Sequence, residues 1–400
     1  MNTDFKKFSL PLLLITIIFM DLLTGMEFDL FVPSFPQLQS HFHLSASWVE
    51  ALLSVNFIGY CISVLIVGNL SDRYGRKPII LLGLIVFVIG SLVCLVENDF
   101  TLLLLGRLLQ GIGIAAPAIL SFLIIADHYP LQKQQFLMAM LNGSMNIAVG
   151  ISPVIGSYIA LYFHWRGNFT VLLSLGILAC ILTLFFVPQY SLPDKKQNQT
   201  STGYITLFQS KPLLLVMIFL VVMCLPYWIF VGMSPLLYMK NFGVKLSVFG
   251  FYQGILAFVF ALGSIIFGLV MHRFTQQKLL SIGLKIFIVS LILIGFITVI
   301  NSSSPLFITL TLLIFVIGQI IPGTILYPLC LSLMPDAKAR ISAISQSARL
   351  IFSSLALQIA GYFYNGSFRN TGIIILIFIL MTIIMQFYVM KNIDHTEARA

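Results

Sequence analysis

Gly68-Asn-Leu-Ser-Asp-Arg-Tyr-Gly-Arg-Lys77 stands between two long apolar runs, at about 47–70 and 78–97. A charged decapeptide with a glycine at its start and another near its end has no place inside hydrocarbon, so it predicts a tight turn at a membrane surface. Gly75 can supply a left-handed turn conformation, and Gly68 can let its helix approach a neighbour closely. Asp72, at the membrane edge, is placed to face a helix N-terminus, where the dipole stabilises an acid.

Working outward, the composition agrees. The chain is 59% hydrophobic and only 9% charged, against about a quarter charged in a soluble protein, and its mean hydropathy is +1.03. Apolar runs of roughly 20 residues, enough to cross about 30 Å of hydrocarbon, recur throughout. Twelve are read, at about 9–38, 47–70, 78–97, 100–126, 135–162, 168–188, 212–237, 246–271, 279–300, 305–333, 341–364 and 370–390. The first is too long for a cleaved signal, and no small-residue cleavage site follows it. The formal charge of +9 is unevenly placed. Fifteen Lys and Arg, among them Lys6, Lys7, Arg73, Arg76, Lys77, Lys195, Lys196 and Arg399, fall on one side of the twelve-span plan, and four (Arg166, Lys240, Lys245, Arg369) on the other. That is the positive-inside bias, which puts both termini in the cytoplasm of a multi-pass inner-membrane protein and argues against a nucleic-acid partner. Cys61, Cys94, Cys180, Cys224 and Cys330 lie in apolar spans without a CxxC pair, and the histidines, His41 and His43 included, lack metal-ligand spacing. No metal or cofactor is expected.

The polar stretch Gln189 to Lys211 divides the spans six and six, giving halves 1–188 and 212–400 with a cytoplasmic linker, 189–211, between them. The halves are related at an offset of 200: Gly68 meets Gly268, Arg73 meets Arg273, Tyr74 meets Phe274 and Gly83 meets Gly283. The second copy of the turn, Gly268 to Lys278, keeps basic charge and lacks counterparts of Asp72, Gly75 and Arg76.

The wording of Gly68–Lys77 resembles the G-x-L-x-D-R-x-G-R-K signature between helices 2 and 3 of the major facilitator superfamily, and the resemblance extends over nearly the entire chain. It implies an all-α integral membrane protein with twelve transmembrane helices in two pseudo-symmetric six-helix halves, binding substrate between them near the midplane. It also implies a gate made by Gly68, Asp72, Arg73, Gly75 and Arg76, with Asp127 as a partner for Arg76.

The remaining motifs lie inside the spans. Arg107, in Arg107-Leu-Leu-Gln110-Gly111, is roughly 12 Å deep at 1.5 Å per residue, where a cation is functional by default. It resembles the family's R-x-x-Q-G motif, which implies proton coupling. Gly150-Ile-Ser-Pro153-Val-Ile-Gly156 predicts a bent, closely packed helix. It resembles, in part, the antiporter motif G-P-x-x-G, with Ser152 where that motif has Gly. His164-Trp-Arg-Gly-Asn-Phe169 resembles the family's W-R-x-x-F.

The first span carries Asp21, Glu27 and Asp29. A carboxyl in hydrocarbon resists ionisation, so it can hold a proton in one state and release it in another. Asp21 and Asp29 point within about 80° of each other at 100° per residue, whereas Glu27 is about 200° from Asp29, so those two cannot line one wall and one of them serves the rim or pairs elsewhere. The segment Asp29-Leu-Phe-Val-Pro33-Ser-Phe-Pro36 resembles that of bicyclomycin-resistance-type drug:proton antiporters. Arg349, about 14 Å deep in an otherwise uncharged span, either neutralises a carboxylate of the first span or binds an anionic substrate group. Asn56, Asn146, Tyr227 and Gln253 are uncharged candidates for lining a substrate cavity. Ser47-Trp-Val-Glu50 reads as a capping box, with Glu50 reaching back to the cap amide.

The expectation is therefore a proton-driven exporter of small, lipophilic molecules. The alternative is a proton-coupled importer, or an exporter of an anionic metabolite such as a siderophore or amino-acid derivative. With no nucleophile–base pair, phosphate loop or soluble domain in view, an enzyme or receptor is the least supported class. The expected partners are a small-molecule substrate, protons and the lipid bilayer, with the chain acting as a monomer.

Overall fold

The computed structural model describes residues 3–96, 99–129, 131–189, 204–334 and 337–397. The linker expected over 189–211 lies outside the described residues from 190 to 203, as do Lys195, Lys196 and Arg399. The end of that stretch forms a short helix.

Long apolar runs become long helices because hydrocarbon offers backbone groups no other partner. In chain order they are α1 (Thr3–Asp29), a 3₁₀ turn (Val32–Ser34), α2 (Phe35–His41), α3 (Ala46–Tyr74), α4 (Arg76–Val96), α5 (Phe100–His128), α6 (Leu131–Phe186), α7 (Tyr204–Gln209), α8 (Lys211–Pro235), α9 (Leu246–Val270), α10 (Gln276–Val299), α11 (Pro305–Ser332), α12 (Lys338–Phe363) and α13 (Phe368–Glu397). Among the described residues ten stretches are long and apolar enough to cross a bilayer. One of them, Gly143–Phe186, is 44 residues long and holds two spans, because the backbone leaves the helical region at His164, with φ 56° and ψ −173°. The twelfth span is α12, whose line of Ser342, Ser345, Gln346, Ser347 and Arg349 makes it the most polar of the set. Helical dihedrals persist through Pro153, so the break in α6 belongs to His164.

The chain divides into two compact units. The first comprises Met1–Leu44, Ala51–Gln197 and Leu246–Gly254, and the second Ser45–Glu50, Asn198–Lys245 and Ile255–Ala400. In the first, α4 and α5 lie against each other along small residues. A Cβ on Gly90 would sit 2.7 Å from the Gly106 carbonyl, and one on Gly83 would sit 2.7 Å from that of Gly113. The spacing is seven on both helices, so two turns repeat one close approach, the usual basis of helix association in lipid. In the second unit α8 packs on α11, α12 and α13, and Gln319 of α11 donates to the Met223 carbonyl.

The outward faces are apolar: Ile85, Ile89, Leu92 and Val96 of α4 are exposed, as lipid contact requires. Two aromatic pairs stand out at the ends of spans 5 and 11, Tyr162–Phe163 (72% and 69% exposed) and Tyr362–Phe363 (78% and 56%). They share the offset of 200 found in the sequence. At the start of α5, Asp99 accepts from the backbone N–H of Thr101 at 2.6 Å and of Leu102 at 3.3 Å. These bonds to the ionised form hold its carboxyl below the ordinary 3.8.

Candidate functional site

The first unit encloses a polar network centred on Arg107, a fully buried residue. Its Nη1 donates to Glu27 Oε1 at 2.7 Å and to Gln110 Oε1 at 2.6 Å, and its Nε donates to the Leu52 carbonyl at 3.3 Å. The guanidinium lies over the Phe31 ring, 4.0 Å from the centroid, adding a cation–π contact. Asn56 Nδ2 donates to Glu27 Oε1 at 2.7 Å and to the Arg107 carbonyl at 3.0 Å. Gln110 Nε2 passes the chain on to Ser91 Oγ at 2.8 Å, and Ser91 donates to the Phe87 carbonyl. The 0%-exposed pair thus joins α1, α3, α4 and α5. A buried ion pair is tolerated only with such additional hydrogen bonds.

The three carboxylates of α1 therefore divide. Glu27 pairs with Arg107. Asp21, buried, accepts from Ser144 Oγ of α6 at 3.1 Å through Oδ2, while its Oδ1 has no hydrogen bond among the described residues. Asp29, the last residue of α1 and also buried, has no hydrogen-bond partner on either oxygen among the described residues. Close above it, α6 presses Gly156 against the Leu30 carbonyl, and Asn168 Nδ2 reaches Ser34 Oγ at 2.8 Å and the Gly156 carbonyl at 3.3 Å.

The turn between α3 and α4 is built as a cluster. Gly75 takes φ +90°, a conformation other residues rarely adopt. This points Arg76 back along α3, where it donates to Asp72 at 2.7 Å, to Ser71 Oγ at 2.6 Å and, through Nε, to Asp127 of α5 at 3.1 Å. Asp72 is 67% exposed, so that arm is weak in itself, worth about 0–1 kcal/mol. Lys77 donates to the Leu184 carbonyl of α6 at 2.7 Å, and Arg73 lies over Tyr74, 5.3 Å from the ring centre. Gly68 departs from its expected part: among the described residues no atom lies within 4 Å of where its Cβ would be, so none of them is brought close.

The other sequence candidates are more dispersed. Asn56 belongs to the Arg107 network, with Oδ1 free of hydrogen bonds. Asn146 is half-buried on α6. Gln253, near the start of α9 and in the first unit, is buried, with neither amide atom hydrogen-bonded among the described residues. Gly150 and Pro153 of α6 offer their carbonyls to Gly254 and Gly250 of that same α9 segment at close approach. In the second unit Tyr227 is half-buried and packs edge-on against Trp228 at 5.7 Å. Arg349 is half-buried, hydrogen-bonded to Cys224, with its Nε unpartnered.

A further expectation is overturned. Glu50 is no cap. The helix begins at Ala46, the Ser45 carbonyl accepts from Val49 N–H at 3.2 Å, and Ser45 Oγ accepts from Trp48 N–H at 3.4 Å. Starting that early, α3 carries Glu50 onto a buried face instead. Sequence reasoning also missed Ser91, Phe31 and Ser144. Gln110 stood in view inside the R-x-x-Q-G motif, three residues from Arg107 and so on the same helix face.

The family model described as Major Facilitator Superfamily matches residues 17–357. Multidrug resistance protein MdtL of Vibrio parahaemolyticus serotype O3:K6 is 32% identical over 174 residues, covering 44% of each chain. MdtL of Klebsiella pneumoniae subsp. pneumoniae is 26% identical over 239 residues, covering 58% of this chain and 59% of that one. The chain thus spans between two fifths and three fifths of the length of these curated relatives. Among solved structures, a bacterial homolog of the human lysosomal transporter Spinster superposes with a TM-score of 0.75 at 16% identity, covering 98% of both chains. A D-xylose–proton symporter does so with a TM-score of 0.77 at 15% identity, covering 96% of this chain and 97% of that one.

Proposed function

Because the chain belongs to the major facilitator superfamily, we propose that it is a proton-coupled secondary transporter that exports small lipophilic molecules by antiport. One observation carries the reading: α1 holds three buried carboxyls, of which Arg107 neutralises only Glu27. Asp21 and Asp29 keep oxygens that no hydrogen bond satisfies. A group in that condition gains most from binding a proton when dry and from releasing it when water or a cationic substrate arrives. Glu27 and Arg107 act beside them as fixed charges that set the local field. The names of the MdtL relatives, multidrug resistance proteins, favour drug-like substrates.

In this reading the halves 1–188 and 212–400 move about the linker, and the cluster of Asp72, Arg73, Arg76 and Asp127 opens and closes the cytoplasmic side. Gly75 shapes that turn, and Gly68 keeps its part in it as a small residue. The Gly150–Pro153–Gly156 stretch gives α6 the close contacts of an antiporter. Asn56, Asn146, Tyr227 and Gln253 line the path. The protein acts as a monomer in the inner membrane with both termini cytoplasmic, as the distribution of Lys and Arg favours.

Asp21→Asn and Asp29→Asn should each lower pH-gradient-driven ethidium transport in inverted membrane vesicles. The expected loss is roughly 5- to 150-fold, the range of ordinary coupling energies, at unchanged protein level. Full activity in both variants would sink the assignment.

A second reading rests on Arg349. Its unpartnered Nε in an otherwise uncharged span suits an anionic metabolite bound through the guanidinium fork. Accumulation of a carboxylate solute driven by inward proton flow, absent in Arg349→Leu, would favour that reading over export of lipophilic cations.

A further inference from the structure

Glu50 has no part in the network around Arg107 or in the turn between α3 and α4. It closes the segment Ser45–Glu50, which belongs to the second unit. There Ser47 packs against Gly361 of α12, and a Cβ on that glycine would sit 2.7 Å from the Ser47 Cα. One turn on, Glu50 enters a notch that exists because residue 232 of α8 is glycine. A Cβ there would collide with Glu50 Oε2 and with Leu357 of α12. The carboxyl is 0% exposed and, among the described residues, neither oxygen has a hydrogen bond. The atoms facing it from α8 and α12, at Gly232 and Leu357, carry no charge. The titratable group within electrostatic reach is Tyr364, which follows α12 and donates its own hydroxyl to Asn241 Oδ1 at 3.1 Å. Among the described residues Glu50 forms no ion pair.

An acid placed this way is unlike Glu27, whose charge is matched. An ionised carboxylate in an apolar notch without donors is far more costly than the neutral acid, whereas the same group in water is the reverse. A structural role gains nothing from such a group, since Gln or Leu would fill the notch without the cost.

We propose that Glu50 is a further proton-carrying carboxyl, separate from those of α1, which holds a proton while the notch is closed over it and gives it up when the notch admits water. The chemistry is a single O–H bond: the proton arrives from hydronium and leaves to water. The coupling role rests on the proton-driven transport proposed above; the protonation itself does not.

The test separates the two. Wild-type and Glu50→Gln protein, purified and reconstituted, are compared by infrared difference spectroscopy across a step from mildly acidic to alkaline pH. Proton uptake is counted in parallel with an indicator dye. The wild type should show a protonated-carboxyl carbonyl band that Glu50→Gln lacks, and the variant should exchange one proton fewer. Identical spectra and proton counts would overturn the proposal. Should Glu50→Gln misfold, Glu50→Asp must shift that band, and an unmoved band overturns the proposal equally. The transport arm uses ethidium in inverted vesicles: Glu50→Gln should lose the pH dependence of the wild-type rate. An unaltered pH profile would overturn the coupling role, while a wild type that fails to move ethidium with the gradient would overturn the transport reading and leave the band to decide the site.

Discussion

Removing either member of the Glu27–Arg107 pair leaves the other as an uncompensated charge with no water to solvate it. Arg107→Met should therefore destabilise the protein by about 3–5 kcal/mol, while the double variant Glu27→Gln/Arg107→Met should recover most of that loss. Thermal unfolding of the detergent-solubilised proteins checks this, and equal melting of single and double variants would refute it. At this scale the sequence was readable where depth alone mattered. Counting residues from the span edge placed Arg107 inside the membrane, and three carboxylates in one apolar run announced themselves. Partners were not readable, because Glu27 and Arg107 are 80 positions apart and nothing local joins them. Glu50 was misread for the opposite reason. Ser47-x-x-Glu50 is a complete local pattern, but Ser45 starts the helix two residues sooner, and tertiary burial then decides what the Glu meets.

Helices in this molecule are held by shape more than by hydrophobicity, since lipid is as apolar as leucine. Gly90→Val would put side-chain atoms into the Gly106 carbonyl, 2.7 Å from where the Cβ must go, and into the Gln110 N–H at 2.8 Å. It should sharply reduce folded protein in the membrane, whereas Gly68→Ala, with open space around it, should not. Fluorescence-detected size exclusion of tagged variants compares them directly, and equal yields would disprove the α4–α5 close approach. The twelve runs were legible from hydropathy because length and apolarity are all that spanning requires. The break inside α6 was not. Pro153 carried the sequence signal for a bend, yet helical dihedrals continue through it and leave the helical region at His164, a residue without breaker chemistry. The turn at Gly75 was legible because only glycine takes φ +90° cheaply. The absence of a neighbour at Gly68 was not, since small residues mark close approach only when another helix arrives.

On the scale of the whole molecule, the internal repeat survives in unequal form. The first unit keeps the acid and base of its turn, with Arg76 bound to both Asp72 and Asp127. In the second, Arg273 is exposed and Lys278 rests near the Phe274 ring at 5.6 Å. The polar chemistry is unequal too: the first unit holds the Glu27–Arg107 pair beside the unmatched Asp21 and Asp29, and the second holds Glu50 and Arg349, which form no ion pair among the described residues. The two copies also retain in common the aromatic pair that ends span 5 and span 11, at 162–163 and again 200 positions later at 362–363. Rings that are polar at one edge and apolar elsewhere settle at the headgroup level. Each unit thus carries its own depth marker, and lipid thickness becomes an input to the protein. A bilayer too thin or too thick must pull one marker from its level or tilt the helix that bears it, at fractions of a kcal/mol per Å. Transport measured in vesicles of graded acyl-chain length should pass through an optimum, and replacing Tyr162 and Tyr362 together by leucine should broaden it.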